Sequence, residues 1–344
     1  MVQTRGARKR VFSGIQPSGG LHLGNYLGAI QQWVALQETR TSFICIVDLH
    51  AITVTQDPRR LARRVRELAG LLVAAGIDTE KTTLFVQSHV RAHAEGSWLL
   101  SCVTPLGWLE RMTQYKDKAA RQESVLTGLL TYPVLQAADI LLYDADEVPV
   151  GEDQKQHIEL TRDIAQRFNR LYGETFVLPQ PVIRPRGARI MGLDDPTLKM
   201  SKSEKGRGHA ILLTDAADDL RAVIKRATTD SGREIRFSDA PERAGVNNLL
   251  TIYQLLTGRN RDQVEADFAG ARGYAELKER VAEVVVETLR PLRERYQRLM
   301  NGPDELDRLL ERGAERARAV AGPKIIQVKE RLGLQVPALR RGTP

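Results

Sequence analysis

The sequence predicts an α/β fold in which a domain built on a parallel β-sheet is followed by a domain of helices. In the first half of the chain, short apolar segments alternate with longer segments of helical periodicity, which is the pattern of a parallel sheet with crossover helices. Beyond about residue 195 the strand signals fade and the periodicity becomes mostly helical. Residues 178–195 are rich in proline and glycine and predict irregular connecting structure, so we expect the domain boundary at their end.

The four predicted strands are short, contain β-branched or aromatic residues, and are flanked by Gly, Pro or Asp. They are residues 11–15, 42–47, 83–86 and 147–150. Between them we expect helices at residues 26–36, 58–75 and 154–169. The second of these helices begins with Pro58, which suits a first helical turn. The third helix is amphipathic, and the face expected to pack on the core carries Ile158, Thr161, Ala165 and Phe168.

Four further helices are predicted in the second half of the chain, at residues 215–226, 247–256, 276–300 and 303–320. In the third of these, apolar residues recur at helical spacing at Leu277, Val281, Val285, Leu289 and Leu292. This stripe predicts core packing, and Pro291 is expected to kink the helix.

The composition of the chain indicates the kind of partner and the cellular compartment to expect. The 344 residues include 51 Lys and Arg against 43 Asp and Glu, and the net charge of +8 favours polyanionic partners. Cys45 and Cys102 are far apart, which excludes a disulfide framework and a cysteine zinc site. The most apolar segment, residues 68–77, is too short to span a membrane, and the basic N-terminus leads into a polar turn. We therefore expect a cytoplasmic protein that is neither secreted nor inserted into a membrane.

A glycine-rich turn joins the first predicted strand to the first predicted helix, at residues 14–25. Such a turn is typical of a phosphate site, although its spacing fits neither the dinucleotide nor the P-loop motif. Gly24 lacks a side chain and would let a flat base approach, while His22 and Asn25 offer neutral donors at the helix entrance. A tight turn without a ligand is the alternative interpretation.

Three polar side chains are spaced i, i+4, i+7 around Pro133, which is expected to start a helix. Tyr132, Gln136 and Asp139 would then project from one face and line one pocket. A structural ion pair is the alternative role for Asp139. His89 and His93 are also spaced i, i+4, but no nearby carboxylate or cysteine completes a metal site, so we expect surface histidines and no protein-held metal.

Two motifs carry a resemblance to a known family. His22-Leu23-Gly24-Asn25 resembles the His-Ile-Gly-His signature of class I aminoacyl-tRNA synthetases, and Lys199-Met200-Ser201-Lys202-Ser203 matches their second signature. The segments 12–26, 47–53, 130–133, 137–143 and 148–154 further resemble the bacterial tryptophanyl-tRNA synthetases. The resemblance extends from about residue 11 to about residue 332.

The resemblance implies a reaction and a domain organisation. The reaction is ATP-dependent activation of L-tryptophan to tryptophanyl-adenylate with release of pyrophosphate, followed by transfer to tRNA(Trp), with Mg²⁺ bridging the phosphates. We expect a basic tail at residues 1–10, a Rossmann-like catalytic domain at 11–195 and a helical anticodon-binding domain at 196–285. C-terminal helices at 286–344 should pack back on the catalytic domain. A homodimer in which one tRNA crosses both subunits is also implied.

The resemblance also implies roles for individual residues. The implied catalytic residues are Lys199 and Lys202, which would hold the leaving pyrophosphate, together with His22, Asn25 and Lys118. The ATP site comprises Gln16, Pro17, Ser18, Gly24, Asn25, Gly151, Glu152, Asp153, Ile190, Lys199, Met200, Ser201, Lys202 and Ser203. Within it, Glu152 and Asp153 would accept the ribose hydroxyls; from spacing alone, acidic residues in a first helical turn are the alternative. The lysine pair alone would indicate only a solvated charge cluster.

The tryptophan site is implied in the same way. Asp139 would accept the indole N–H, Tyr132 and Gln154 would hold the α-ammonium, and the ring would pack among Phe12, His50, Val148 and Val150. Gln136 stands where many relatives carry Met, and its role beside the indole is open.

Three other functions could be considered for a chain with these motifs. A small-molecule adenylyltransferase should lack both the helical domain and the second lysine motif, and an RNA-binding regulatory paralogue should have lost residues needed for activation. A tyrosine-specific synthetase is the nearest alternative, and the segment around Asp139 argues against it.

Overall fold

A computed structural model of the chain describes residues 8–120, 124–183, 189–201 and 208–336. Its centre is a five-stranded parallel sheet in the order β3-β2-β1-β4-β5. The strands are β1 (Arg10–Ile15), β2 (Thr41–Ile46), β3 (Thr82–Val86), β4 (Glu147–Val150) and β5 (Gln180–Ile183). The four predicted strands are confirmed to within one residue at each end.

The fifth strand corrects the prediction of irregular structure across residues 178–195. Gln180–Ile183 pairs with β4 in parallel, with Pro181 opposite Val148. Proline cannot donate to a ladder, but an edge strand tolerates it because one of its sides has no neighbour. A short segment with a proline gives little strand signal, which is why the sequence did not reveal it.

The helices of the first half flank the sheet. They are α1 (Leu23–Asn25), α2 (Gln31–Leu36), α3 (Asp48–Ala51), α4 (Pro58–Ala74), α5 (Ala92–Ser101), α6 (Leu106–Glu110), α7 (Thr113–Ala119), α8 (Thr127–Leu141) and α9 (Lys155–Tyr172). The single helix predicted for residues 26–36 instead begins with a π-helical turn, Tyr26–Ile30, between α1 and α2. Three short 3₁₀ turns lie at Gln87–His89, Glu152–Gln154 and Pro241–Arg243.

Pro133 does not start a helix, contrary to the prediction. Helix α8 begins at Thr127 and continues through Pro133. The ring removes one backbone donor, but α8 is held by packing against its neighbours α5 and α9, which outweighs that local penalty.

The described residues of the second half form five helices: α10 (Ala217–Lys225), α11 (Ala244–Thr257), α12 (Arg261–Asp267), α13 (Tyr274–Asn301) and α14 (Pro303–Arg331). Leu277, Val281, Val285, Leu289 and Leu292 of α13 are all buried, which confirms the predicted core stripe. Helix α13 continues through Pro291, and α14 continues eleven residues beyond the predicted end at residue 320. Gly322 and Pro323, which weaken the helix signal there, lie inside it.

The sheet separates two apolar clusters. Alternate residues of β2 point to opposite sides, so that Ile44 and Ile46 pack with α4 and α13 while Phe43 and Cys45 pack with α8, α9 and α14. Helix α14 lies directly against β3, where a Cβ atom at Gly313 would overlap the carbonyl oxygen of Leu84. In the described part of the chain, no helix combines the length and apolar character needed to cross a membrane.

Candidate active site

A cavity of about 540 Å³ opens at the carboxyl ends of β1 and β4. The chain runs from β1 outward to β2 and β3 on one side and returns to β4 and β5 on the other. Between β1 and β4 the strand order therefore reverses, and such a switch point leaves a crevice where ligands of parallel sheets bind. The cavity is lined by Phe12, Ser13, Gly14, Gln16, Val47, His50, Gln114, Tyr132, Gln136, Asp139, Ile140, Val148, Pro149, Val150, Gly151, Asp153 and Gln154.

All residues that the sequence assigned to a tryptophan site lie around this cavity. Tyr132, Gln136 and Asp139 reach it from one face of α8, as their spacing predicted. Phe12, His50, Val148, Val150 and Gln154 complete the set. The structure thus brings these side chains together, and their roles toward a substrate remain predictions.

Asp139 is 1% exposed and accepts three hydrogen bonds from buried side chains. Its Oδ1 accepts from Gln87 Nε2 at 2.7 Å and from His93 Nδ1 at 2.6 Å. Its Oδ2 accepts from His50 Nε2 at 2.7 Å. A carboxylate oxygen offers about two lone-pair sites. Oδ1 is therefore saturated, and Oδ2 retains one acceptor position at the cavity.

The charge state of Asp139 follows from these partners. Burial acts to raise the pKa of this carboxyl, but the charge and hydrogen bonds of His50 and His93 outweigh burial and hold the pKa well below its usual range. Asp139 therefore stays an acceptor near neutral pH. Burial also raises the pKa of Tyr143, whose hydroxyl lies 2.9 Å from His93 Nε2.

The prediction that His89 and His93 are both surface residues is wrong for His93. His89 is exposed, whereas His93 has no exposed surface because α5 turns it inward toward Asp139 and Tyr143. The i, i+4 spacing gave no sign of this, since the two residues belong to different helical segments, a 3₁₀ turn and α5.

A second polar network surrounds Tyr132. Its hydroxyl lies 2.7 Å from His157 Nε2 and donates to Gln114 Oε1 at 3.1 Å. Burial raises the pKa of Tyr132 to about 12, so the phenol keeps its proton. Nearby, Gln154 Nε2 donates to Asp153 at 3.0 Å, which orients the Gln154 amide at the cavity wall.

The glycine-rich turn ends in a reciprocal cap. The Asn25 backbone N–H donates to His22 Nδ1 at 3.3 Å, and the His22 backbone N–H donates to Asn25 Oδ1 at 3.0 Å. The cap uses His22 Nδ1 and Asn25 Oδ1 as acceptors, so neither cap bond involves His22 Nε2 or the Asn25 amide N–H₂. The cap fixes both side chains at the start of α1, where the sequence suggested a phosphate.

The segment with the lysine motif is paired to the glycine-rich turn. The Leu23 N–H donates to the Ile211 carbonyl at 2.8 Å, and the Met200 N–H donates to the Ile190 carbonyl at 3.1 Å. A Cβ atom at Gly24 would lie 3.7 Å from Ile190 Cβ. Both signatures therefore lie beside Ile190, which is buried together with Met200, while Lys199 is exposed.

The absence of a side chain at Gly151 leaves space for the carboxylate of Asp153. A Cβ atom there would lie 2.6 Å from Asp153 Oδ1, so any other residue would displace the carboxylate from the cavity rim. Asp153 lines the cavity, whereas Glu152 is exposed outside its lining.

Several predicted residues lie apart from the cavity or outside the described chain. Of the predicted ATP residues, Gln16, Gly151 and Asp153 line the cavity, and Pro17, Ser18, Gly24, Asn25, Ile190, Lys199, Met200 and Ser201 lie outside its lining. Lys202, Ser203 and the side chain of Lys118 are outside the described residues.

Sequence reasoning missed four polar residues that support the site: Gln87, His93, Gln114 and His157. Gln87 had a usable signal, because it follows the carboxyl end of β3, where parallel sheets place binding residues. His157 had none, since its neighbours on the buried face of α9 are structural.

Comparison with known proteins agrees with this geometry. Residues 4–290 match the family model described as tRNA synthetases class I (W and Y). A Tryptophan--tRNA ligase of Wolinella succinogenes is 53% identical, with 95% of this chain and 99% of that protein covered. One of Caldanaerobacter subterraneus subsp. tengcongensis is 54% identical, covering 95% and 98%.

A solved structure agrees as well. The tryptophanyl-tRNA synthetase of Campylobacter jejuni, solved in complex with ADP and tryptophan, matches with a TM-score of 0.84 at 37% identity, covering 94% of this chain and 100% of that one. Because the identity extends over nearly the whole length of both compared chains, the similarity is not limited to one shared domain. The chain belongs to the class I tRNA synthetases, and within them to the tryptophan–tRNA ligases.

Proposed function

We propose that this enzyme activates L-tryptophan with ATP at the cavity between β1 and β4 and then transfers it to tRNA(Trp). In the first step, a tryptophan carboxylate oxygen attacks the α-phosphorus of ATP. The bond from that phosphorus to the bridging oxygen breaks, and pyrophosphate leaves. In the second step, a ribose hydroxyl of the tRNA attacks the acyl carbon, and AMP leaves.

The first step needs no general base, because a carboxylate is already a nucleophile at neutral pH. The protein's contribution is to align two anions and to neutralise the charge that develops on the phosphates. A site of hydrogen-bond donors and cations around a rigid sheet edge suits that task better than a titrating side chain would.

The remaining acceptor position on Asp139 Oδ2 carries the proposal. Tryptophan has one side-chain donor, the indole N–H, and the cavity offers it one fixed, ionised acceptor. The three buried donors orient that acceptor before substrate arrives. Phe12, Val148 and Val150 give the ring apolar contact in the same cavity.

The α-ammonium would bind at the other polar wall. Tyr132 Oη and the Gln154 amide oxygen are acceptors on the cavity surface, and Asp153 adds negative charge beside Gln154. An ammonium there would leave the carboxylate free to face the ATP phosphates.

ATP would bind between the glycine-rich turn and the loop at Gly151. Asp153 and Glu152 would accept the ribose hydroxyls, while His22 and Asn25 would donate to phosphate oxygens. Lys199 and Lys202 would hold the leaving pyrophosphate as point charges, with Lys118 as a third cation.

Magnesium fits this arrangement as an ion carried by ATP. Among the described residues, no group of three His, Cys, Asp or Glu side chains is placed to hold a metal, and Mg²⁺ commonly binds through substrate phosphates. When bound, it would supply charge neutralisation on the phosphates.

The helical region after residue 196 would carry the tRNA, in a cytoplasmic homodimer. The net charge of +8 favours a polyanion, and residues 199–207 contain Lys199, Lys202, Lys205 and Arg207 against Glu204 alone. Trp98 is 70% exposed and Leu106 is 58% exposed, which supports a protein surface that covers them.

Amino-acid-dependent ATP–pyrophosphate exchange tests the proposal, with tryptophan and tyrosine supplied separately. Tryptophan should support exchange, and charging of tRNA(Trp) should weaken as salt rises. Exchange driven by tyrosine would overturn the specificity, and exchange with neither amino acid would indicate a paralogue that has lost activation.

A further inference from the structure

His209 is a buried histidine directly attached to the lysine motif. It is 2% exposed. Its Nδ1 lies 2.6 Å from Asp194 Oδ1, and its Nε2 lies 3.1 Å from the backbone carbonyl oxygen of Lys199. Its own carbonyl accepts from the Leu193 N–H at 3.1 Å. The ring therefore bridges the turn before the lysine motif and the motif itself.

The two contacts determine the proton count of the ring. A backbone carbonyl can only accept, and the carboxylate of Asp194, whose side chain is 46% exposed, also only accepts. A neutral imidazole has one N–H, so it can donate to only one of these two partners. Both contacts are made together only by the imidazolium.

We propose that His209 is a positioning residue that, as an imidazolium, holds the backbone of Lys199 in place for the phosphates of ATP. The inference deepens the proposed function, because it rests on the role of Lys199 in holding pyrophosphate. No role was assigned to His209 from the sequence, and it lies outside the cavity lining.

The surroundings of the ring are built to hold it. A Cβ atom at Gly192 would overlap the imidazole, so the glycine creates the space that His209 fills. Thr228 fixes the same turn by donating from its hydroxyl to the Asp194 carbonyl at 2.6 Å. Asn248 holds Met191 at the start of this turn: its side chain accepts from the Met191 N–H at 2.9 Å and donates to the Met191 carbonyl at 3.0 Å. The Lys199 backbone is joined to this turn by the Gly192 N–H bond to the Leu198 carbonyl at 2.8 Å and the Met200 N–H bond to the Ile190 carbonyl at 3.1 Å. The His209 Nε2 contact adds a third tie, at the Lys199 carbonyl itself.

The charges that face the ring favour the imidazolium. Asp194 contacts it directly, and Asp195 lies in the same turn. Hydrogen bonds from Thr197 lower the pKa of Asp195, and the charge of His209 acts in the same direction. Among the described residues of the lysine motif, Lys199 carries a positive charge, and its side chain is exposed to solvent, which screens it.

Loss of the ring proton should release one of the two contacts. As pH rises and the imidazolium is lost, the Lys199 carbonyl loses its side-chain donor while the backbone bonds on either side of it remain. The KM for ATP should therefore rise while the KM for tryptophan stays unchanged. The tryptophan pocket serves as the internal reference because His209 lies outside the lining of the cavity.

Two substitutions separate the contacts. In H209Q the amide N–H₂ can take the place of Nε2 and keep the bond to the Lys199 carbonyl without a titrating group. In H209N the amide lies nearer the place of Nδ1 and cannot reach Lys199. We expect H209N to raise the KM for ATP about tenfold, the loss of one charge-assisted hydrogen bond. H209Q should stay near the wild-type KM and lose the alkaline change.

A third substitution tests the charge. D194N keeps the size of the side chain and removes the anion that stabilises the imidazolium. The alkaline rise in the KM for ATP should therefore move to lower pH, with no change in the KM for tryptophan. A purely structural role for His209 would not move this pH profile.

Nitrogen NMR of histidine-labelled protein reads the proton count without activity. At pH 7, both ring nitrogens of His209 should be protonated, and D194N should shift the loss of that proton to lower pH. A neutral His209 at pH 7, or a pH profile that D194N leaves unchanged, would overturn the inference.

If wild-type protein shows no tryptophan-dependent exchange, the proposed function fails instead, and the NMR result still decides the protonation state of His209. If H209Q and H209N do not fold, the wild-type and D194N spectra decide it.

Discussion

His93 donates its Nδ1 proton to Oδ1 of Asp139 across 2.6 Å, while its Nε2 lies 2.9 Å from the hydroxyl of Tyr143. Since the carboxylate can only accept, the Nδ1 of His93 carries a proton. His93 thus orients the pocket carboxylate from behind and has no surface at the cavity.

Substitution of His93 should weaken both stability and tryptophan use. H93F removes a donor from Asp139 and the hydrogen-bond partner of the Tyr143 hydroxyl, so we expect the free energy of unfolding to fall by about 2–3 kcal/mol. The KM for tryptophan should rise, while the KM for ATP should not. H93N can keep a donor near Nδ1 and should lie between H93F and wild type. Urea unfolding and exchange kinetics provide both measurements, and identical behaviour of H93F and wild type would remove His93 from this role.

The lowered pKa of Asp139 predicts a particular pH dependence of stability. Burial alone would raise the pKa, and His50 and His93 reverse that effect. Because the folded pKa is depressed, the stabilisation is fully present above the ordinary aspartate range, near pH 4, and is lost as pH falls below it. The loss should amount to about 1.4 kcal/mol per pH unit for this one group.

D139N provides the matched comparison, since its amide does not titrate. The difference in unfolding free energy between wild type and D139N should shrink as pH falls from about 4. Urea unfolding across pH 3 to 6 measures it. A difference that stays constant over that range would mean that Asp139 has an unperturbed pKa.

His157 should act on the α-ammonium through Tyr132. With His157 2.7 Å from the Tyr132 hydroxyl, H157F should let that hydroxyl turn away from the substrate. We expect the KM for tryptophan to rise about tenfold, whereas inhibition by indole-3-propionate, which lacks the ammonium, should hardly change. H157Q, which retains a polar partner, is the control. Equal weakening of both ligands would instead indicate a general collapse of the pocket.

The packing of α14 on β3 gives a prediction about stability alone. G313A places a methyl group on the Leu84 carbonyl and should destabilise the protein by about 1–3 kcal/mol, because neither backbone can move freely. G322A, on the same helix, meets no atom within 4 Å among the described residues and should stabilise by about 0.5–1 kcal/mol. Denaturant unfolding of the two variants compares them, and an equal effect would refute the packing argument.

The sequence predicted those parts of the fold and site that local patterns determine. Strands β1 to β4 and the face shared by Tyr132, Gln136 and Asp139 follow from periodicity. Strand β5 and the start of α8 depend on tertiary contacts, since Pro181 and Pro133 weaken the local signal and packing overrides it.

The polar support of the site could not be read from the sequence for the same reason. Gln87, His93 and His50 reach Asp139 from three separate segments, and only the sheet topology brings them together. The family resemblance identified Asp139 as a ligand for the indole, but the number of acceptor positions left on it required the geometry.

The most direct test of the central claim compares tryptophan with β-(benzothienyl)alanine, in which sulfur replaces the indole N–H. If the last acceptor position on Asp139 Oδ2 binds that N–H, kcat/KM in pyrophosphate exchange should fall by about 10- to 100-fold for the sulfur analogue. In D139A the preference for tryptophan should largely disappear, with the fold checked by circular dichroism. Wild-type enzyme that uses both amino acids equally well, or a preference that survives in D139A, would contradict the account.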